Sequence, residues 1–203
     1  MLTLTIDPER PDPRKIGQAV TILADHGVAL YPTDTVYALG GAVDSRRAVE
    51  RIYRLKQMDT RQPLALIVAE LRDAARYAMV SDFAYRQMRR LTPGPYTFVL
   101  EASREVPRVL LDKRRQIGIR VPQSKICVDL VRQLGKPILT SSAIPPGADE
   151  ACHDVDEGKA AWPYGIDVAI DGGVAPGKVS TVVSLIGDRI EILRAGLGAD
   201  ELE

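Results

Sequence analysis

The feature that most constrains this chain is an alternation. Short apolar runs, "VALY" at 28–31, "PLALIV" at 63–68, "TFVL" at 97–100, "IGIRVP" at 117–122 and "PILTSSA" at 137–143, are separated by stretches whose apolar residues recur every three or four positions. The runs read as buried strands and the stretches between them as amphipathic helices. Asp12 followed by Pro13 opens one helix through Ile16, Ala19, Val20 and Leu23, which closes at His26 and Gly27. Ser45 opens a second that carries Ala48, Val49, Ile52 and Tyr53 to Lys56, and helical stretches follow around 71–77 and 82–91. Ser124 caps another through Ile126, Leu130, Val131 and Leu134 to Gly135, and a loop with Pro145, Pro146 and Gly147 follows. Strand and helix in turn predict an α/β domain. Near the C-terminus "IDVAI", a "DGG" turn, "STVVSLI", a Gly187-Asp188 turn and "RIEIL" add antiparallel pairs, so the sheet is expected to be mixed. At 203 residues the whole chain, 1–203, is expected to form one domain.

Charge sets the next limit. Lys and Arg number 27 and so do Asp and Glu, so affinity for a nucleotide or nucleic acid has to come from local clustering of cations. Cys127 and Cys152 are too few for a disulfide framework, and Cys152 beside His153 lacks the second ligand pair of a zinc site, so no metal site is expected. The opening "MLTLTIDPERPDP" has no leader pattern and no later run approaches a membrane span, which gives a cytoplasmic setting without membrane contact as the expectation.

In open α/β folds, ligands collect at strand ends, and here those ends are polar. Thr33, Asp34 and Thr35 follow one strand; Lys56 and Arg61 precede another; Arg120 ends a third; Thr140, Ser141 and Ser142 end a fourth; Ser180 and Thr181 open a fifth; Arg194 ends a sixth. Hydroxyls with scattered cations suit a phosphorylated or nucleotide ligand. A plainer reading stands beside each: the threonines as a turn bonding its own backbone, the cations as solvated surface, the serines as a strand end. Arg120 is harder to set aside, because Ile117, Ile119 and Val121 alternate away from it. There is no Walker-type loop, neither histidine has triad partners nearby in sequence, and His26 reads as a helix-terminal residue. No catalytic residue is assigned.

The ordered set "YPTDTVYALGG", "IYRLKQMDTRQPLALIV", "TPGPYTFVL", "IGIRVP", "PILTSSAIPPG", "STVVSL" and "ILRAG" closely resembles the YrdC-like family, which includes the threonylcarbamoyl-AMP synthases of tRNA modification, over residues 18–196. The resemblance implies a twisted sheet with flanking helices and a concave, positive cavity for ATP and L-threonine, with Mg2+ screening the triphosphate, and a link to double-stranded RNA or tRNA. In the synthases, the threonine nitrogen captures bicarbonate-derived carbon and the carbamate attacks the ATP α-phosphate, releasing pyrophosphate. Carried over, Thr35, Ser142 and Ser180 fall at substrate positions, and Lys56, Arg120 and Arg194 at nucleotide positions, with Arg61 near enough in sequence to join them. The longer family members carry a further C-terminal domain, which a chain ending shortly after Arg194 is expected to lack.

Three diagnostic polar positions depart from the family pattern. Met58 stands where an arginine is expected, Ile67 where a histidine is, and Ile144 where an asparagine is; Asp59 also replaces a proline. Together with "REVPRVLLDKRRQIGIRVP" these departures look most like the YciO branch. The expectation is therefore a YciO-like protein with weak or altered synthase activity. A second reading is a non-catalytic RNA-binding protein using Lys113, Arg114 and Arg115, and a third is an amino-acid pocket reshaped by Ile67 and Ile144 for a more apolar substrate.

Overall fold

The computed structural model describes residues 1–59, 62, 64–111 and 114–202, with Val109 described by its backbone alone. In chain order the elements are β1 (Leu2–Thr5), α1 (Pro13–Ala24), β2 (Ala29–Pro32), β3 (Tyr37–Ala42), α2 (Arg46–Lys56), β4 (Ala65–Ile67), α3 (Leu71–Tyr77), β5 (Ala78–Met79), α4 (Asp82–Leu91) and β6 (Tyr96–Ala102). They continue as β7 (Gln116–Arg120), α5 (Lys125–Leu134), β8 (Ile138–Ser142), α6 (Val155–Ala161), β9 (Val168–Asp171), β10 (Thr181–Ser184) and β11 (Glu191–Arg194).

The helices start where capping chemistry places them. Asp12 accepts from the Arg14 amide, Ser45 from the Ala48 amide and Ser124 from the Cys127 amide, each satisfying an orphan donor of the first turn. Gly135 ends α5 at φ +71°, a left-handed conformation that glycine adopts without a steric penalty.

Among the described residues one mixed sheet runs in the order β1-β9-β2-β3-β8-β4-β7-β6-β10-β11, with β5 paired to β6. One face packs under α2, α3, α4 and α6, where Val49, Ile52, Met88 and Val155 meet Leu30, Leu39, Leu66, Phe98 and Ile119. The other face is only half covered. Helices α1 and α5 bury Tyr31, Ala42, Ile67 and Ile138 with Ile16, Leu23, Ile126 and Leu130. Farther across the sheet the same face lies beyond those two helices, and its uncovered part is where the site lies.

The structure departs from the sequence reading in several places. Residues 37–42, "YALGGA", form β3, antiparallel to β2 and β8, although two adjacent glycines argue against a strand. The glycines are needed because the neighbours are close: a Cβ on Gly40 would come within 2.7 Å of the Leu139 carbonyl and one on Gly41 within 2.5 Å of the Ala48 Cβ. Strands β1 and β9 pair in parallel, as do β9 and β2, so "IDVAI" does not supply an antiparallel pair; β10–β11 does, while β10 itself runs parallel to β6. The segment after Pro146 is not all loop, since Asp154 caps α6 by accepting from the Asp156 and Glu157 amides. No helix among the described residues is long and apolar enough to cross a membrane.

Candidate functional site

A cavity of about 830 Å3 opens on the half-covered face, a size within the range of small-molecule sites. Its floor is a row of small residues brought together by strand register. Thr140 pairs with Ala65, Ala65 with Gly118, and Gly118 with Val99. The floor stays open because Gly118 has no side chain: a Cβ there would lie 3.0 Å from both the Ala65 Cβ and the Thr97 Cγ2.

One wall is built from the "TDT" turn and the end of β7. Thr33 Oγ1 donates to the Val36 carbonyl at 2.7 Å and accepts from the Thr35 amide at 3.1 Å, so this threonine makes the turn. Arg120 reaches it from β7. Its Nη2 donates to Asp34 Oδ1 at 2.6 Å and to Thr35 Oγ1 at 2.8 Å, and Asp34 Oδ2 accepts from the Gln123 amide at 3.0 Å. The side chains of Arg120 and Asp34 are 6% and 9% exposed, which makes this a buried, hydrogen-bonded ion pair. Arg120 Nε has no acceptor, and it is the buried side-chain polar atom left without one among the described residues.

The opposite side carries two more cations. Lys56 ends α2, and its Nζ donates to Ser141 Oγ at 2.6 Å and to the Ser142 carbonyl at 2.5 Å. Burial, with a smaller contribution from Arg194, lowers the Lys56 pKa to about 8. Arg194 Nη2 donates to the Ser180 carbonyl at 2.9 Å and to Ser180 Oγ at 3.2 Å, and Ser180 Oγ lies 3.1 Å from Thr97 Oγ1. Burial lowers the Arg194 pKa, and Arg120 adds to the shift. Beside it the ladder slips: Val182 pairs with Arg194 and Val183 with Ile192, leaving Leu193 as an extra residue. This bulge brings both Leu193 and Arg194, neighbours in sequence, to the cavity rim.

The lining includes Arg114, Arg120 and Arg194 and no carboxylate among the described residues. A chain of zero net charge thus concentrates positive charge at one concave surface.

Of the residues singled out in the sequence, Arg120, Ser142, Ser180 and Arg194 line this cavity. Thr35 and Lys56 touch it through Arg120 and through Ser141 and Ser142. Arg114 belongs to the lining, whereas Arg115 is exposed outside it, and Arg61 and Lys113 lie outside the described residues. Met58 packs beside the lysine's partner, with its Sδ 4.0 Å from Ser141 Oγ. Ile67 is fully buried under α1 and α5, away from the lining, so it does not reshape this cavity by direct contact. Ile144 is half-buried, and its amide donates to the Ser142 carbonyl. Sequence reasoning passed over Thr97 and Leu193. Alternation in "YTFVL" places Thr97 opposite the core residues Tyr96 and Phe98 and could have identified it; a bulge leaves no such trace. The two cysteines are buried and free, and no cluster of metal-ligating side chains occurs among the described residues.

The Sua5/YciO/YrdC family model, described as telomere recombination, matches residues 21–196. The uncharacterised protein YciO of Escherichia coli K12 is 39% identical over 194 residues, covering 95% of this chain and 94% of that protein. Its crystal structure superposes with a TM-score of 0.93 at 38% identity, covering 98% of this chain and 97% of the other. A threonylcarbamoyl-AMP synthase of Mus musculus is 35% identical over 156 residues, 76% of this chain and 54% of the synthase. The crystal structure of P. abyssi Sua5 complexed with L-threonine superposes with a TM-score of 0.88 at 27% identity, over 97% of this chain and 58% of that one.

Proposed function

Since the chain belongs to the Sua5/YciO/YrdC family, we propose that its cavity binds ATP and L-threonine and carries the threonylcarbamoyl-AMP synthase reaction in a weakened or altered form. The observation that carries this reading is the convergence of Lys56, Arg120 and Arg194 on a cavity whose described lining has no carboxylate. Adenylyl transfer is mainly a matter of positioning and charge stabilisation, and these cations supply both. Support for an amino-acid subsite comes from the hydroxyls of Ser142 and Ser180 on the same surface and from the relative that is complexed with L-threonine.

In this reading the threonine nitrogen bonds to the bicarbonate carbon as a C–O bond breaks and water leaves, the carbamate oxygen attacks the ATP α-phosphorus, and the bond to pyrophosphate breaks. Arg194, held on Ser180, and Lys56, held on Ser141, offer positive charge to the phosphates. Mg2+ would be carried on the nucleotide's own phosphate oxygens, because the described lining supplies hydroxyls and no acidic ligand. The weakening follows from Met58, an apolar side chain packed where the family's arginine would add charge beside Ser141. Losing one charge-assisted contact of roughly 1.5–3 kcal/mol lowers a rate about tenfold to a hundredfold.

The test is incubation with ATP, L-threonine, bicarbonate and Mg2+, following pyrophosphate and the adenylate by mass spectrometry. Slow formation of threonylcarbamoyl-AMP is expected. Nucleotide that fails to bind would sink the reading, and turnover matching a committed synthase would remove its weakened part.

A second reading, RNA bound at the cavity mouth, is favoured by Arg114 in the lining next to exposed Arg115. It predicts RNA affinity that falls steeply with salt and drops in an Arg114→Gln/Arg115→Gln variant. Absence of binding at low salt would dispose of it.

A further inference from the structure

Asp34 and Arg120 form an ion pair, yet they face different spaces. Arg120 lines the cavity described above, whereas Asp34 lines a separate one of about 870 Å3 beyond the turn; Thr33 lines both. A ligand in the first cavity therefore meets the guanidinium and not the carboxylate. Asp34 is itself fixed from behind, its second oxygen accepting from the Gln123 amide at the approach to α5. Arg120 Nη2 is bound by Asp34 and Thr35 while Nε is buried without an acceptor. An arginine held by one edge, with another donor unsatisfied, is set to take an oxyanion on its remaining N–H groups.

We infer that Asp34 is a positioning residue: from the neighbouring cavity it fixes the Arg120 guanidinium in the one orientation that offers its remaining donors to a phosphate or carboxylate oxygen of the bound ligand. Rigidity matters here because a free arginine loses rotamer freedom when it engages an anion, and prior fixation removes that loss from binding. This inference deepens the nucleotide reading and rests on it for the identity of the ligand, not for the pairing itself.

The test is a double-mutant cycle on ATP binding, measured by calorimetry without threonine, with Asp34→Asn, Arg120→Lys and the double variant. If Asp34 acts through Arg120, D34N weakens ATP about tenfold in the wild-type background and less than about twofold once Arg120 is replaced. Equal losses in both backgrounds, or no loss in D34N, would overturn the inference. Rotation about the Arg120 Nε–Cζ bond, read from the side-chain 15N signals of ligand-free wild type and D34N, gives an independent measurement that stands if R120K does not fold. Separate Nη signals are expected in wild type and averaged ones in D34N; unchanged rotation would overturn the role of Asp34. Should ATP not bind wild type, the nucleotide reading falls on its own, and the rotation measurement decides the role of Asp34 separately.

Discussion

Lys56 Nζ donates to Ser141 Oγ across 2.6 Å and joins the C-terminus of α2 to the end of β8. The Ser142 carbonyl takes a second N–H, so one of the ammonium's three donors remains for a ligand oxygen.

Burial lowers this lysine to about 8 from an ordinary 10.5, and a bound triphosphate favours the charged form. At pH 8, ATP binding is therefore expected to draw protons from solution, read as a dependence of calorimetric heat on buffer ionisation enthalpy, and Lys56→Met is expected to abolish that uptake. The linkage to stability has a definite sign. Between about pH 8 and 10.5 the unfolded chain binds more protons at this site, so the penalty that Lys56 places on folding is complete below 8 and fades as pH rises. Urea midpoints of K56M relative to wild type should be highest near neutral pH and converge toward the alkaline end; a constant difference would contradict the assignment.

The two threonines of "TDT" separate by role. Thr33→Val removes the hydroxyl that closes the turn on Val36 and Thr35, and about 1–2 kcal/mol of stability is expected to go with it in denaturant unfolding. Thr35→Val leaves Arg120 Nη2 still bound to Asp34, so its stability loss should be the smaller of the two. Its main effect should be on ATP affinity, roughly threefold to tenfold weaker.

Gly118 keeps the cavity floor open. Gly118→Val places methyl groups where even a Cβ meets Ala65 and Thr97 at 3.0 Å, which should cost about 1–3 kcal/mol by overpacking. The variant is expected to show no thermal shift with ATP while keeping its circular dichroism spectrum. Undiminished ATP binding would place the ligand elsewhere.

Met58→Arg with Ile144→Asn restores two of the polar side chains expected from the family pattern beside Ser141 and Ser142. Pyrophosphate release dependent on threonine should rise about tenfold or more. A folded double variant with unchanged turnover would show that these positions do not limit the reaction.

Much of this was legible because local chemistry and periodicity agree. The caps at Asp12, Ser45 and Ser124 fix helix starts through bonds made within three residues, and the alternation around Arg120 put it on the face opposite Ile117 and Ile119. Strand β3 was not assigned from sequence because adjacent glycines carry no strand signal, and only the close approach of Leu139 and Ala48 makes them necessary there. The polar "TDT" cluster left a turn and a ligand contact as competing readings. The turn falls to Thr33, while Thr35 receives Arg120 from 85 positions away and so joins the cavity wall through that arginine.

By itself, the sequence determined which segments are strands or helices through most of the chain, and that hydroxyls and cations gather at strand ends, because those properties depend on spacing and capping over a few residues. Tertiary structure alone decided that α1 and α5 cover only part of one face, that β10 and β11 slip by one residue to bring Arg194 to the rim, and that Ile67 lies in the core instead of the cavity. Those outcomes depend on register and on which face each helix covers, and both are settled by long-range packing that no local pattern encodes.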